Sequence, residues 1–223
     1  MTDTGNLPNL AEDILRIHRA MTRGLFVAVT RGAVFLKDSF ADRSLQQGFA
    51  LYVQALTSVL SAHHLGEDEV AFPALKIKLP AVPYGSLAAD HVRIETALNK
   101  VKNALPQIGA EAPAAALETI VENLQQILSV WTPHILIEET AFSAAAIAGA
   151  MTQAEQAELS GILAKHAQEH AGPPFFALPF VLFNLSLEER ARMAALMPRT
   201  VIEELIPGEW KEKWAPMKPF LLD

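Results

Sequence analysis

Two stretches of the chain carry side chains that could do chemistry together. In the first, His63 and Glu67 are four residues apart, which puts both on one face of a helix. The second repeats the pattern as His134 and Glu138, 71 positions later. Each copy is a histidine, three residues and two acids (Glu67-Asp68, then Glu138-Glu139), with Phe72 or Phe142 shortly after. Imidazole and carboxylate together are usual ligands of iron, zinc or manganese. The two stretches are expected to face each other across a helix bundle and hold metal.

His18 and His91 extend the set. Each falls on an apolar stripe of helical period, as His63 and His134 do, so four different helices each direct a histidine inward. A lone histidine on an apolar face is more often a hydrogen-bonded core residue than a ligand. Four of them, two with a carboxylate one turn later, are not independent. Burying that many polar groups without compensation is very costly, and a shared metal removes the cost.

The neighbouring groups divide. Asp68 and Glu69 read as solvated acids. Glu139, five residues after His134, reaches a metal only where the helix widens into a π-turn, which Pro133 could favour; Glu138 is preferred. His64 points about 100° away from His63 on an ideal helix, so it is an additional ligand or a residue supporting one. Glu95, one turn after His91, reads as a ligand, an acceptor behind a ligand, or surface. His166 and His170 have chelating spacing, but Lys165, Gln168 and Glu169 give them a polar, partly exposed face. Trp131, Ile135, Phe142, Leu60 and Phe72 lie near the ligands as core, and as a lining that keeps the site dry.

The elements that must position these residues are long helices. Residues 1–8 read as a frayed start. Helices are predicted from Asn9 to about Lys37, from Arg43 to Leu79 with a bend at Pro73, from Leu87 to Leu105 with Ser86 as N-cap, and from Pro113 to Ala148 with a kink at Pro133. Short connections make an all-α, antiparallel four-helix bundle the expected architecture. Thr152 and Glu155 form a capping box for a fifth helix to about Ala171. Composition then changes: seven of the fourteen prolines fall in residues 173–223. Another capping box at Ser186 opens a helix to about Met197, and residues 198–206 read as one more. The expected division is a bundle over residues 1–150 and additional C-terminal helices over 151–223. Trp210, Trp214, Met217, Phe220 and Leu221 are costly to expose together. They are expected to pack on the bundle or to contact a second copy or another protein.

Composition sets the limits. Half of the residues are hydrophobic and Ala and Leu abound, which suits a helical core. Net charge is −7 with no basic run, against a nucleic-acid partner. With no cysteine, any metal is held by nitrogen and oxygen. The first ten residues lack a basic and an apolar stretch, and no apolar run reaches the roughly 18 residues that span a bilayer. A cytoplasmic protein without a membrane segment is the default expectation.

At these residues the chain resembles the hemerythrin-like family, or HHE cation-binding domain. The match is His18, then His63 with Glu67 and the following Glu69-Val70-Ala71-Phe72-Pro73, then His91, then His134 with Glu138, over roughly residues 9–150. The resemblance implies a four-helix bundle with a non-haem centre of two irons, bridged by two carboxylates and an oxo or hydroxo group. Glu67 and Glu138 would bridge, and His18, His63, His91 and His134 would complete the shells. Family members bind O2 reversibly, sense oxygen, iron or redox state, or handle peroxide and nitric oxide. There are departures. Oxygen carriers have a His-x-x-x-His pair on the third helix where this chain has His91 and Glu95, and an Asp five residues after the last histidine where it offers Glu138 and Glu139. A harder, anionic ligand favours the oxidised state and weakens reversible O2 carriage, and the changed set admits a single metal, or zinc or manganese in place of iron. Binding or sensing of O2 or a related small ligand is the leading expectation; an oxidoreductase acting on O2 or peroxide and a purely structural metal are the alternatives.

Overall fold

The computed structural model describes residues 9–109 and 113–223; the frayed start expected for residues 1–8 lies outside them. Helix α1 spans Leu10–Asp38. It opens where the Asn9 side chain accepts from the Glu12 N–H, and closes at Ser39, whose φ of 64° stops further helix. Asp42 caps α2, Arg43–Gly66, by accepting from the Leu45 N–H at 2.8 Å. A π-helical segment, Glu67–Ala71, and then α3, Phe72–Lys78, continue the same rod. The remaining bundle helices are α4, Tyr84–Ala104, and α5, Ala114–Ala141. Helix α1 packs on α2 and α5, and α4 packs on the same two. With short connections this is an antiparallel four-helix bundle, and the described residues contain no strand.

Three boundaries differ from the periodicity. Helix α4 starts at Tyr84 after Pro83, with no side-chain cap, so Ser86 lies inside it. The earlier start seats the Tyr84 ring 5.3 Å from Phe72 and 6.2 Å from Phe142. Helix α5 runs through Pro133 and ends at Ala141, not near Ala148; the chain turns at Phe142 to bury that ring, and α6, Ala144–Ala150, follows separately. A widened turn, the condition for Glu139 to reach a metal, does not form at Pro133; one lies beside Pro73 instead. Proline cannot donate and crowds the carbonyl four residues back. At Glu67–Ala71 the ladder changes register, the Phe72 N–H reaching the Glu67 carbonyl, and Pro73 falls in the first turn of α3 where no donor is needed.

The C-terminal helices close over α1 and α2. The predicted capping box at Thr152 opens α7, Gln153–His170. After Gly172, left-handed at φ 78°, come α8 (Pro174–Phe183) and α9 (Leu187–Ala194), which the Ser186 side chain caps. A second π-helical segment, Val201–Glu209, surrounds Pro207, again widening where a proline interrupts the ladder. Helix α10 (Lys211–Trp214) and a 3-10 turn, Ala215–Phe220, finish the fold. Phe180 lies against Gly24, where a Cβ would meet its ring at 2.6 Å. Met217 and Phe220 are buried in the same core as Phe49 and Tyr52 of α2. Each such side chain stabilises the fold by about 1.5–3 kcal/mol relative to exposure. A buried polar knot ties the parts: Tyr52 donates to Asn184 at 2.8 Å, while Arg23 donates to Asn184 and to the Phe220 carbonyl.

The core is interrupted once. One hydrophobic cluster includes Leu25, Leu56, Leu60, Ile94, Leu124 and Trp131; a smaller one includes Leu10, Phe72, Leu75, Leu87, Phe142 and Leu159. Between them, along the helices, lie the buried side chains His18, His64, Glu67, His91, His134 and Glu138. No helix of the described residues is long and apolar enough to cross a membrane.

Candidate metal centre

The polar layer resolves into two overlapping clusters, each able to hold a metal ion. His18, His63, Glu67 and Glu138 form one; His64, Glu67, His91 and His134 form the other, with donor atoms within 4.8 Å of one another in each. Helix α1 brings His18, α2 brings His63 and His64, the π segment brings Glu67, α4 brings His91, and α5 brings His134 and Glu138. The two carboxylates span both clusters. Glu67 Oε2 lies 3.3 Å from His63 Nε2 and 3.4 Å from His91 Nε2. Glu138 Oε2 lies 3.4 Å from both His18 Nε2 and His134 Nε2.

The 100° between neighbouring helix residues explains the adjacent histidines. His63 turns toward α1, its ring centroid 5.1 Å from that of His18. His64 turns toward α4 and stacks on His91 at 4.2 Å. One helix therefore feeds both clusters from consecutive positions.

Three carboxylates stand behind the imidazoles. His91 Nδ1 is 2.9 Å from Asp68 Oδ1 and His18 Nδ1 is 3.1 Å from Glu139 Oε1. Each contact turns the Nε2 lone pair of its ring inward. Asp90 lies 3.8 Å from His134 Nδ1, beyond a hydrogen bond. Asp68 is thus not simply a solvated acid, although 39 % of its side chain stays exposed. Glu139 supports His18 and belongs to neither cluster. Glu95 is not brought to the centre: its carboxylate meets Ser61 at 2.8 Å and Lys102 at 2.9 Å on the outer side of α4. Helix α4 brings one imidazole, and His64 of α2 supplies the fifth of the layer.

Electrostatics follow from burial in a shared space. Burial pushes the Glu67 carboxyl well above its ordinary range, and the charges of Glu138 and Asp68 add to the rise. Burial would also raise Glu138, but its contacts with His134 and His18 outweigh that and hold it low. Burial lowers His63 and His64, and the neighbouring imidazoles lower them further. Burial lowers His91 as well, against the pull of Asp68. For His18, the contacts with Glu138 and Glu139 overcome burial and raise it. The two carboxyls are thus pushed in opposite directions, Glu67 up by burial and Glu138 down by its imidazole contacts. A cation at Glu67 would compete with a proton there.

The unmet hydrogen bonds test whether a cation fits. His18 Nε2, His63 Nε2, both nitrogens of His64, Glu67 Oε2 and both oxygens of Glu138 are buried without a hydrogen-bond partner. Nε2 of His91 and Nε2 of His134 face each other at 3.2 Å. Such orphaned donors and acceptors each cost about 1–3 kcal/mol. Lone pairs converging on two points, with nitrogen and oxygen only, are what a pair of divalent or trivalent cations satisfies. Trp131 closes one side: it is buried, its Nε1 donates to Thr22 at 2.8 Å, and its ring is within 6.1 Å of those of His18, His63, His64 and His134.

Comparison with known proteins agrees with this geometry. Neither the curated proteins nor the solved structures give a match. The sequence profile described as the Hemerythrin HHE cation binding domain matches residues 9–146, the segment that forms the bundle and contributes every side chain of both clusters. The chain therefore belongs to the hemerythrin HHE cation-binding domain family.

Proposed function

We propose that this chain is a dinuclear iron protein that binds or senses O2 or a related small ligand. The observation that carries the reading is that Glu67 belongs to both clusters of buried donors, while Glu138 of the first also lies 3.4 Å from His134 of the second. Two irons, if bound there, would supply reversible electron exchange with such a ligand. The chain's own residues set the conditions. Five histidines and two carboxylates hold the pair; Asp68 and Glu139 fix the orientation of His91 and His18. The cluster of His18 and His63 has two imidazoles and two carboxylates, against three imidazoles and one carboxylate in the other. Trp131, Leu60, Phe72 and Phe142, all buried, exclude bulk water. Two surface pockets lie away from the centre: one is lined by residues such as Arg19 and Glu189, the other by residues such as Gln54 and Lys102.

Metal analysis and absorption spectra of protein purified in air test this, on the unaltered chain, His64→Ala and Glu95→Ala together. The unaltered chain should carry about two irons with near-ultraviolet charge-transfer bands that bleach on reduction. His64→Ala should lose about one ion, as expected for a cluster reduced to three donors, and Glu95→Ala should keep both. Two irons retained in His64→Ala would remove that residue from the centre. Redox-silent zinc in both clusters would replace the reading with a structural metal.

A further inference from the structure

Outside the buried layer, α7 brings two more imidazoles toward the bundle. His166 and His170 are one turn apart, with ring centroids 4.3 Å apart. His166 Nε2 lies 3.1 Å from Glu69 Oε2. The His166 side chain is only 11 % exposed, and its Nδ1 is buried with no hydrogen-bond partner. It rests on Gly66, where an added Cβ would be 3.4 Å from that nitrogen. His170 is exposed, so its ring can turn about the side-chain bonds. Two histidines at i and i+4 are a bidentate chelate on a helix, and Glu69 adds a third, anionic donor.

The position matters as much as the donors. Glu69 belongs to the same widened turn as Glu67, two residues further on. An ion held by His166, His170 and Glu69 is separated from the bridging carboxylate by a single turn of backbone. An ordinary surface ion pair would explain the His166–Glu69 contact. It would not explain the second imidazole stacked on the first.

We propose that His166, His170 and Glu69 form a separate surface site for a divalent transition cation, from which the buried centre is loaded. The site itself stands on these residues alone; the loading role rests on the reading of the buried clusters as a metal centre.

The test uses the full chain stripped of metal, with Zn2+ as the equilibrium probe and Fe2+ for refilling. Equilibrium dialysis should give about three Zn2+ per chain, one of them held more weakly by its three donors than the buried pair. His166→Ala/His170→Ala should lose only the weak ion, and refilling of the buried centre with Fe2+ should slow by roughly tenfold for want of an entry site. His170→Asn, which alters only the exposed ring, should weaken the third ion in a chain whose helicity is unchanged. A stoichiometry that is the same in the unaltered and variant chains overturns the site. Loss of the third ion with an unchanged refilling rate overturns the loading role. A chain that binds a single Zn2+, lost in the double variant, keeps the surface site and sinks the reading of the buried centre instead.

Discussion

Stripping metal from this chain is expected to lower its melting temperature by roughly 10 °C for each tightly held ion. The size follows from linkage. An ion at about a thousand times its dissociation constant stabilises the native state by about 4 kcal/mol. In a chain of this length each kcal/mol moves the midpoint by roughly 2–4 °C. The structural cause is the polar layer, whose buried nitrogens and oxygens lack partners when no cation sits among them. Thermal unfolding followed by circular dichroism, before and after a strong chelator and again after metal is restored, measures the shift. An identical midpoint in all three states would mean that the layer does not hold metal.

The second large effect concerns Glu67→Gln. The amide has the shape of the acid but no charge and only one good donor atom, so it is a poor bridge. Because Glu67 lies within 3.4 Å of an imidazole from each cluster, both ions should be lost, with affinity falling on the order of 100-fold. His91→Ala, which touches one cluster, should leave about one ion. The metal-free proteins should behave differently. Burial raises the Glu67 carboxyl well above its ordinary range and so favours the uncharged form that glutamine imitates. Metal-free Glu67→Gln should therefore melt within about 2 °C of the metal-free parent, a difference of under 1 kcal/mol. A variant that keeps one ion would show that Glu67 serves a single cluster. One that unfolds without metal would show that the acid is needed for the fold.

What could be read from the sequence was the part governed by local geometry. His63 with Glu67 and His134 with Glu138 follow from helical spacing, and the stripes of α1 and α4 add His18 and His91. The destination of a side chain that leaves its own stripe depends on neighbouring helices. His64 points away from His63, and only the presence of α4 on that side makes the direction inward. Asp68 sits in an acidic run and reads as solvated; the widened turn places it against His91. Glu95 has the spacing of a ligand, yet Lys102 and Ser61 draw it outward. Two prolines follow or precede the two motifs, and periodicity does not tell which one distorts its helix. Pro133 is carried within α5, whereas Pro73 is accommodated by the change of register before it. The C-terminal segment was legible as capping signals and apolar residues, but not as a surface fitted to Gly24 and Gly48, because that fit is a property of two distant segments.

The interruption of the core has a consequence for how the chain melts and assembles. Its two hydrophobic clusters meet only through the polar layer. Apolar contacts knit the larger end into one cooperative unit with the C-terminal turn, so that end can collapse before any ion arrives. The smaller end, with α3, α6 and the start of α4, has little apolar surface in common with it. In the empty chain this end is expected to open at lower free energy than the larger one, which amide hydrogen exchange would read as weaker protection. Cations between the clusters act as rivets: they make the two ends exchange their amide hydrogens as one, and they convert a stepwise opening into an all-or-none transition.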